Sequence, residues 1–220
     1  MHLLQPQPEV NTSLLVCTHS THQNTLVPDL VQLSPWSSSK SESEQVDWLI
    51  LHFNHWFSHH NVTLVRGDFE PEYFPATNKE PAKIQFAHGF FNSALHEISH
   101  WSIAGEKRRL LPDLGYWYAP DGRTQEQQIL FEQVEIKPQA IEWLFAQSFG
   151  RKFRVSLDNL TGDGGDGKLF KDNVYAQVQR YFSGEAKLPC DASAFIGFIC
   201  QCTRSGTPLQ LNEFKRELLD

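Results

Sequence analysis

The sequence predicts an α/β or α+β fold, a single layered domain in which helices pack on a small mixed sheet. Three observations carry that prediction. Apolar residues recur at helical spacing through several long stretches, and short alternating runs between them read as strands. The 220 residues, 40% hydrophobic and 20% charged, are enough for one domain with a substantial core. One helical stretch also contains His96-Glu97-Ile98-Ser99-His100, an H-E-x-x-H motif, so the domain is expected to carry a metal-binding helix.

Residues 1–44 read as an N-terminal extension, partly disordered. They are rich in Gln, Asn, Ser, Thr and Pro and end in Ser37-Ser38-Ser39-Lys40-Ser41-Glu42-Ser43. Within them, Ser13-Leu14-Leu15-Val16-Cys17 is a piece able to dock as a strand. The domain proper, 45–220, opens with Val46, Leu49, Ile50, Phe53 and Phe57 at helical spacing. His52, His55, His59 and His60 on or beside this helix are expected at the surface. Residues 61–65 read as a strand, followed by the turn Arg66-Gly67-Asp68, and 83–87 alternate as a second strand. The motif helix should run over about 91–104 and stop at Gly105, with Leu95 and Ile98 packed inward.

Residues 112–122 are a loop ending in the turn Ala119-Pro120-Asp121-Gly122. Thr124 and Gln127 are spaced as a capping box for a long helix that Pro138 should kink or interrupt and Gly150 should end. Ile129, Val134, Ala140, Ile141, Leu144 and Phe145 are its apolar positions. Residues 153–157 alternate as another strand. Thr161-Gly162-Asp163-Gly164-Gly165-Asp166-Gly167 lacks the ligand spacing and terminal Glu of a calcium loop, so it reads as a turn. Helices are expected near 168–182, 191–203 and 211–219, and no repeat recurs.

Composition removes several classes of function. A net charge of -7 leaves no broad basic face for nucleic acid, although Lys107-Arg108-Arg109 forms a local patch. No apolar run approaches a membrane span, and Met1-His2-Leu3-Leu4-Gln5-Pro6 shows no secretory signal. Cys17, Cys190, Cys200 and Cys202 are too few and too clustered for a disulfide framework, so they read as reduced thiols of a cytoplasmic protein.

Chemistry concentrates at the motif. Two histidines four apart on a helix project from one face, so both imidazoles reach one divalent ion without distorting the backbone. The site then needs a third protein ligand. Glu106, six residues past His100, fits a short return turn, whereas Glu132 and Glu135 share one face of the next long helix. A second helix presenting a carboxylate is the commoner arrangement where the first ends in Gly, which favours Glu135, then Glu132, over Glu106. His88, at a strand end just before the motif helix, is placed to face the site. Asp68, Glu70 and Glu72 form an acidic-aromatic segment suited to clamping a cation.

Four blocks occur in a specific order: Phe86-Ala87-His88-Gly89-Phe90, the stretch 96–105, Gly115-Tyr116-Trp117-Tyr118-x-Pro120-Asp121-Gly122-Arg123, and Phe131-Glu132-x-Val134-Glu135-x-Lys137-Pro138-Gln139-Ala140. Over about 45–182 the chain thereby resembles the bacterial elongation factor P hydroxylase family. The resemblance implies an oxidoreductase, a monooxygenase that hydroxylates the β-lysyl-lysine modification of elongation factor P with a non-haem Fe(II) centre and dioxygen. It implies a fold similar to a bacterial rRNA-maturation endoribonuclease and unlike the jelly-roll oxygenases. Carried onto matching positions, His96 and His100 are ligands, with Glu135 as the carboxylate; such a set leaves positions open for dioxygen and substrate. Asp68, Glu70 and Glu72 would orient the cationic side chain, and His88 or Glu97 would handle protons near the iron. Elongation factor P would be held as a whole protein, with Lys107-Arg108-Arg109 meeting its acidic surface. Competing readings are a zinc metallopeptidase with Glu97 as general base, a structural-metal interaction module and, third, a ribonuclease.

Overall fold

The structure, a computed structural model, describes residue 14 and residues 35–116, 123–157 and 167–220. The turns expected at 119–122 and 161–167, the latter but for Gly167, and most of the N-terminal extension lie outside the described residues. The described architecture is α+β, with five α-helices and a three-stranded mixed sheet.

Helix α1 spans Glu42–Trp56 and begins on a capping box. The Ser41 side chain accepts from the Glu44 backbone N–H, and the Glu44 carboxylate accepts from the Ser41 N–H at 2.9 Å, which satisfies two otherwise orphaned donors. Val46, Leu49 and Phe53 form its fully buried stripe. His52 lies on that stripe as well, against the expectation of a surface histidine. Its Nδ1 sits 2.7 Å from the Trp48 carbonyl and its ring stacks on Trp48 at 3.8 Å, so an aromatic neighbour and a backbone partner make burial tolerable. Trp36 packs on Trp48, Phe91 and Phe149, tying the segment before α1 to the core.

Strand β1 (Val62–Arg66) pairs in parallel with β3 (Ala82–Phe86), with Val62 opposite Ala82 and Arg66 opposite Phe86. The short β2 (Glu72–Phe74) adds antiparallel on the other edge of β3. Sequence reading missed β2 because three residues give too short an alternation. The signal is nonetheless present, since Tyr73 points inward between exposed Glu72 and Phe74. Asn54 clips α1 to the sheet: its side chain accepts from Leu64 N–H at 2.6 Å and donates to Leu64 C=O at 3.2 Å.

Helix α2 spans Phe91–Arg108, with Gly105 in the left-handed region (φ 66°) inside it. Regular helix therefore stops where expected, and one further turn re-forms beyond it. The cause is Arg109, whose guanidinium folds back to cap the Trp101 carbonyl at 2.9 Å, lies 3.7 Å over the Trp101 ring and pairs with Asp191 at 2.6 Å. Arg108 donates to the Leu114 carbonyl and covers the Tyr116 ring. Two of the three cations in the expected docking patch are thus occupied by the fold.

Helix α3 spans Gln125–Ser148 and starts on the Thr124–Gln127 capping box. The helix continues through Pro138, where an interruption was expected. The hydrogen bond that proline omits would have gone to the carbonyl of Val134, a half-exposed residue that water can reach. Residues 153–157 do not form the expected strand. Their backbone is satisfied by an amide side chain: Gln139 donates to Ser156 C=O at 2.7 Å and accepts from Ser156 N–H at 3.0 Å. The alternation reflects Phe153 turning inward to stack on Trp143.

Helices α4 (Lys168–Ser183) and α5 (Cys190–Thr203) complete the helical layer, α4 packing on α3 and α5 on both α3 and α2. The expected helix at 211–219 is instead two short 3-10 turns, Leu211–Glu213 and Arg216–Leu219. Phe214 between them is extended so that its ring can enter the core beside Trp143 and Phe182. Among the described residues no helix is long and apolar enough to cross a membrane.

Asp191, at the start of α5, is held by Arg109 and by His60 Nε2 at 3.2 Å. Burial alone would raise its pKa, but those hydrogen bonds and the Arg109 charge hold it at about 2, against an ordinary 3.8. A depressed folded-state pKa stabilises the fold above the unfolded value, and that stability is lost as pH falls through the folded value. Asp191→Asn is therefore expected to cost on the order of 2 kcal/mol at neutral pH, with the difference shrinking from about pH 4 towards pH 2. Urea unfolding at several pH values checks this; equal midpoints at neutral pH would contradict it.

Candidate metal centre

α2 packs most extensively on α3, and the contact is where the ionisable groups meet. Leu95 and Ile98 turn fully inward from α2, which leaves His96 and His100 on the adjoining stripe facing α3. Their Nε2 atoms lie 3.0 Å apart. From α3, Glu135 brings Oε1 to 3.2 Å from His100 Nε2 and Oε2 to 3.5 Å from His96 Nε2. One donor atom from each of the three residues lies within 4.8 Å of the other two.

Glu135 is 4% exposed, and its Oε2 is buried without a hydrogen-bond partner. A buried carboxylate with one oxygen facing each imidazole, the one beside His96 lacking a hydrogen-bond donor, suits a metal ligand. No fourth His, Cys, Asp or Glu among the described residues joins the cluster. The donor set therefore fits a divalent metal held from one side, with the other side open.

Electrostatics agree with a site built to concentrate positive charge. Burial alone would push Glu135 up, yet His100 and His96 hold its carboxyl at about 2. Burial would likewise lower His96, but the Glu142 hydrogen bond and the charges of Glu135, Glu142 and Glu97 lift it to about 10. A cation is wanted at this point, whether proton or metal. Glu142 was missed by sequence reading. Its Oε2 accepts from His96 Nδ1 at 2.8 Å, which aims His96 Nε2 at the cluster. The available signal was a lone carboxylate inside the apolar run Ala140-Ile141-Glu142-Trp143-Leu144-Phe145, two turns after Glu135.

A cavity of about 260 Å³ opens onto the three donors, and Glu72, Tyr73, Glu97, Asp113, Tyr116 and Val134 contribute to its lining. Tyr116 lies edge-on to His100, with ring centres 5.5 Å apart. Asp113 accepts from the Tyr73 N–H at 3.0 Å, fixing the loop 112–115 against β2. Burial, with the nearby Glu135 and Glu142 carboxylates, raises the Glu97 pKa against the pull of the two histidines.

The remaining candidates are distributed as follows. Glu72 reaches the cavity from β2, whereas Asp68 and Glu70 are exposed on the preceding loop and outside its lining. His88 is exposed on the 3-10 turn Ala87–Gly89, also outside that lining. Glu132 accepts a hydrogen bond from Gln128, and Glu106 is exposed beyond Gly105; neither joins the cluster.

Two imidazoles and a carboxylate on facing helices, open towards an acidic cavity, define a candidate 2-His-1-carboxylate metalloprotein. Residues 52–214 match the model of a family described as Elongation factor P hydroxylase. The chain is also 51% identical over 135 residues to Elongation factor P lysine hydroxylase of Haemophilus influenzae (strain Rd), covering 60% of this chain and 76% of that protein. The chain belongs to the elongation factor P hydroxylase family, a family of enzymes. The matched span extends past α4 through α5 to Phe214, beyond the blocks that carried the resemblance.

Proposed function

We propose that this chain hydroxylates elongation factor P on its β-lysyl-lysine side chain, as a monooxygenase using dioxygen and an Fe(II) held by His96, His100 and Glu135. The observation that carries this reading is the three-donor cluster opening onto a carboxylate-lined cavity. Two imidazoles and one carboxylate would hold an Fe(II) that, when bound, would activate dioxygen against an unactivated C–H bond, one oxygen atom entering that bond and the other leaving as water with two electrons from an external reductant.

The chain's own groups do the rest. Glu72 and Asp113 face the cavity, and among the described residues no lysine or arginine lines it, so ammonium groups of a long cationic side chain are drawn in and held. Asp68 and Glu70 stand on the loop leading into β2, where they attract the same charge on approach. Phe131 and Val134 cover the aliphatic stem and exclude water. Glu97, beside the first ligand and with its pKa raised by burial, is the group placed to exchange a proton at the cavity wall. His88 lies outside the lining, so proton handling falls to Glu97.

Helices layered on a small sheet are also compatible with kinship to the rRNA-maturation endoribonuclease fold. A net charge of -7 and an acidic cavity weigh against ribonuclease activity. A translation factor as substrate makes the cytoplasm the expected location.

Reconstitution with Fe(II) and a two-electron reductant under air, followed by intact-mass analysis of β-lysylated elongation factor P, tests the proposal. The expected result is a gain of one oxygen atom on the partner, dependent on iron. Zinc-dependent peptide cleavage without any oxygen gain would replace the reading with a metallopeptidase.

A further inference from the structure

A second cavity, about 390 Å³, is lined by Asn92, Arg151, Lys152 and Arg154. Asn92 is four residues before His96 on α2, so this cavity lies about one helical turn from the first ligand, on the side away from His100. The carboxylate-lined cavity that holds the metal cluster and this basic one therefore neighbour each other along α2, about one turn apart.

The cations are not equally committed. Arg151 donates to the Glu42 carboxylate at 2.8 Å, bonds Gln45 and lies over the Phe91 ring at 4.4 Å, so it braces the wall. Lys152 and Arg154 are exposed, and their side chains have no hydrogen-bond or ion-pair partner among the described residues. Every other described arginine has an acidic or aromatic partner, including Arg108 over Tyr116 and Arg123 over Phe131. In a chain of net charge -7, two unneutralised cations sharing a cavity beside the metal cluster form a localised anion-accepting surface.

We infer that this basic cavity docks an acidic side chain of the protein substrate, adjacent to the target lysine, and so sets the substrate's orientation over the metal. The inference rests on the proposed hydroxylation and deepens it. A guanidinium fork beside an ammonium matches a carboxylate, and Asn92 adds an amide donor. Nucleic acid fits less well, because the neighbouring carboxylate-lined cavity repels a phosphate backbone. Opposite charges in the two neighbouring cavities reward only one orientation of the partner, with the lysine in the acidic cavity and the acidic residue in the basic one. The docking role thereby moves from Lys107-Arg108-Arg109 to Lys152 and Arg154.

The test is titration calorimetry of the full iron-loaded chain with purified β-lysylated elongation factor P, at low and high salt. Lys152→Glu with Arg154→Glu is expected to weaken binding about tenfold or more at low salt and to flatten the salt dependence. The control pair Lys187→Glu with Lys215→Glu changes net charge equally on exposed residues elsewhere and should leave affinity within about twofold. Iron content and circular dichroism of both variants report folding. Unchanged affinity in the Lys152/Arg154 variant, or an equal loss in the control, overturns the inference. Wild-type protein that binds the partner without adding oxygen to it would fail the proposed function and leave the docking result standing.

Discussion

Glu135→Ala is expected to abolish iron binding, and hydroxylation with it, whereas Glu132→Ala and Glu106→Ala keep iron near one per chain. Glu135 alone of the three brings carboxylate oxygens to both histidines, at 3.2 and 3.5 Å, and one of those oxygens lacks any hydrogen-bond partner. Its loss would leave two imidazoles, which hold a divalent ion too weakly to retain it through dilution or gel filtration. Histidine positions would also loosen, because the charge that attracts both rings is gone. Glu132 accepts from Gln128 and Glu106 is exposed beyond Gly105, so neither removal reaches the cluster. Iron determination on the three purified variants decides the matter. Full occupancy in Glu135→Ala would return the third ligand to the other two glutamates.

Which parts of this site were legible in the sequence follows from what periodicity can carry. His96 and His100 could be paired because helical spacing alone puts them on one face. Glu135 could be ranked but not settled, since choosing it over Glu132 depends on the rotation of α3 against α2, a tertiary quantity. Glu142 was hidden for a different reason: in an apolar run, one carboxylate reads as an ordinary break in the pattern unless its partner is known. The misplaced elements share a cause as well. The alternation at 153–157 implied a strand, yet the neighbour that satisfies Ser156 is the Gln139 side chain, for which period two gives no sign. Pro138 implied a break in α3, but its missing bond falls at a half-exposed carbonyl where water substitutes. Local rules described each segment's preference; the packing around it decided the outcome.

Glu142→Ala is expected to lower iron affinity by about 10- to 100-fold and to slow turnover, while Glu142→Gln loses much less. Glu142 Oε2 stands 2.8 Å from His96 Nδ1, so with a metal in place of the second ring proton the imidazole would keep its proton on Nδ1 and direct Nε2 towards the ion beside His100 and Glu135. Alanine leaves His96 free to turn about its side-chain bonds and to change tautomer, both of which remove the donor atom from the cluster. Glutamine keeps an amide oxygen at the same reach and can still accept from Nδ1, so geometry survives although the charge is lost. A role confined to packing predicts a different pattern. Glu142 is 8% exposed, and both substitutions would then lower the stability of the iron-free protein alike and leave the affinity of the folded fraction unchanged. Titrating Fe(II) into each variant under anaerobic conditions, alongside unfolding of the chelated proteins, separates the two. An alanine variant that binds iron as tightly as the wild type would show that α2 alone fixes the orientation of His96; graded loss from glutamine to alanine would show that α3 supplies both the third ligand and the brace that aims the first.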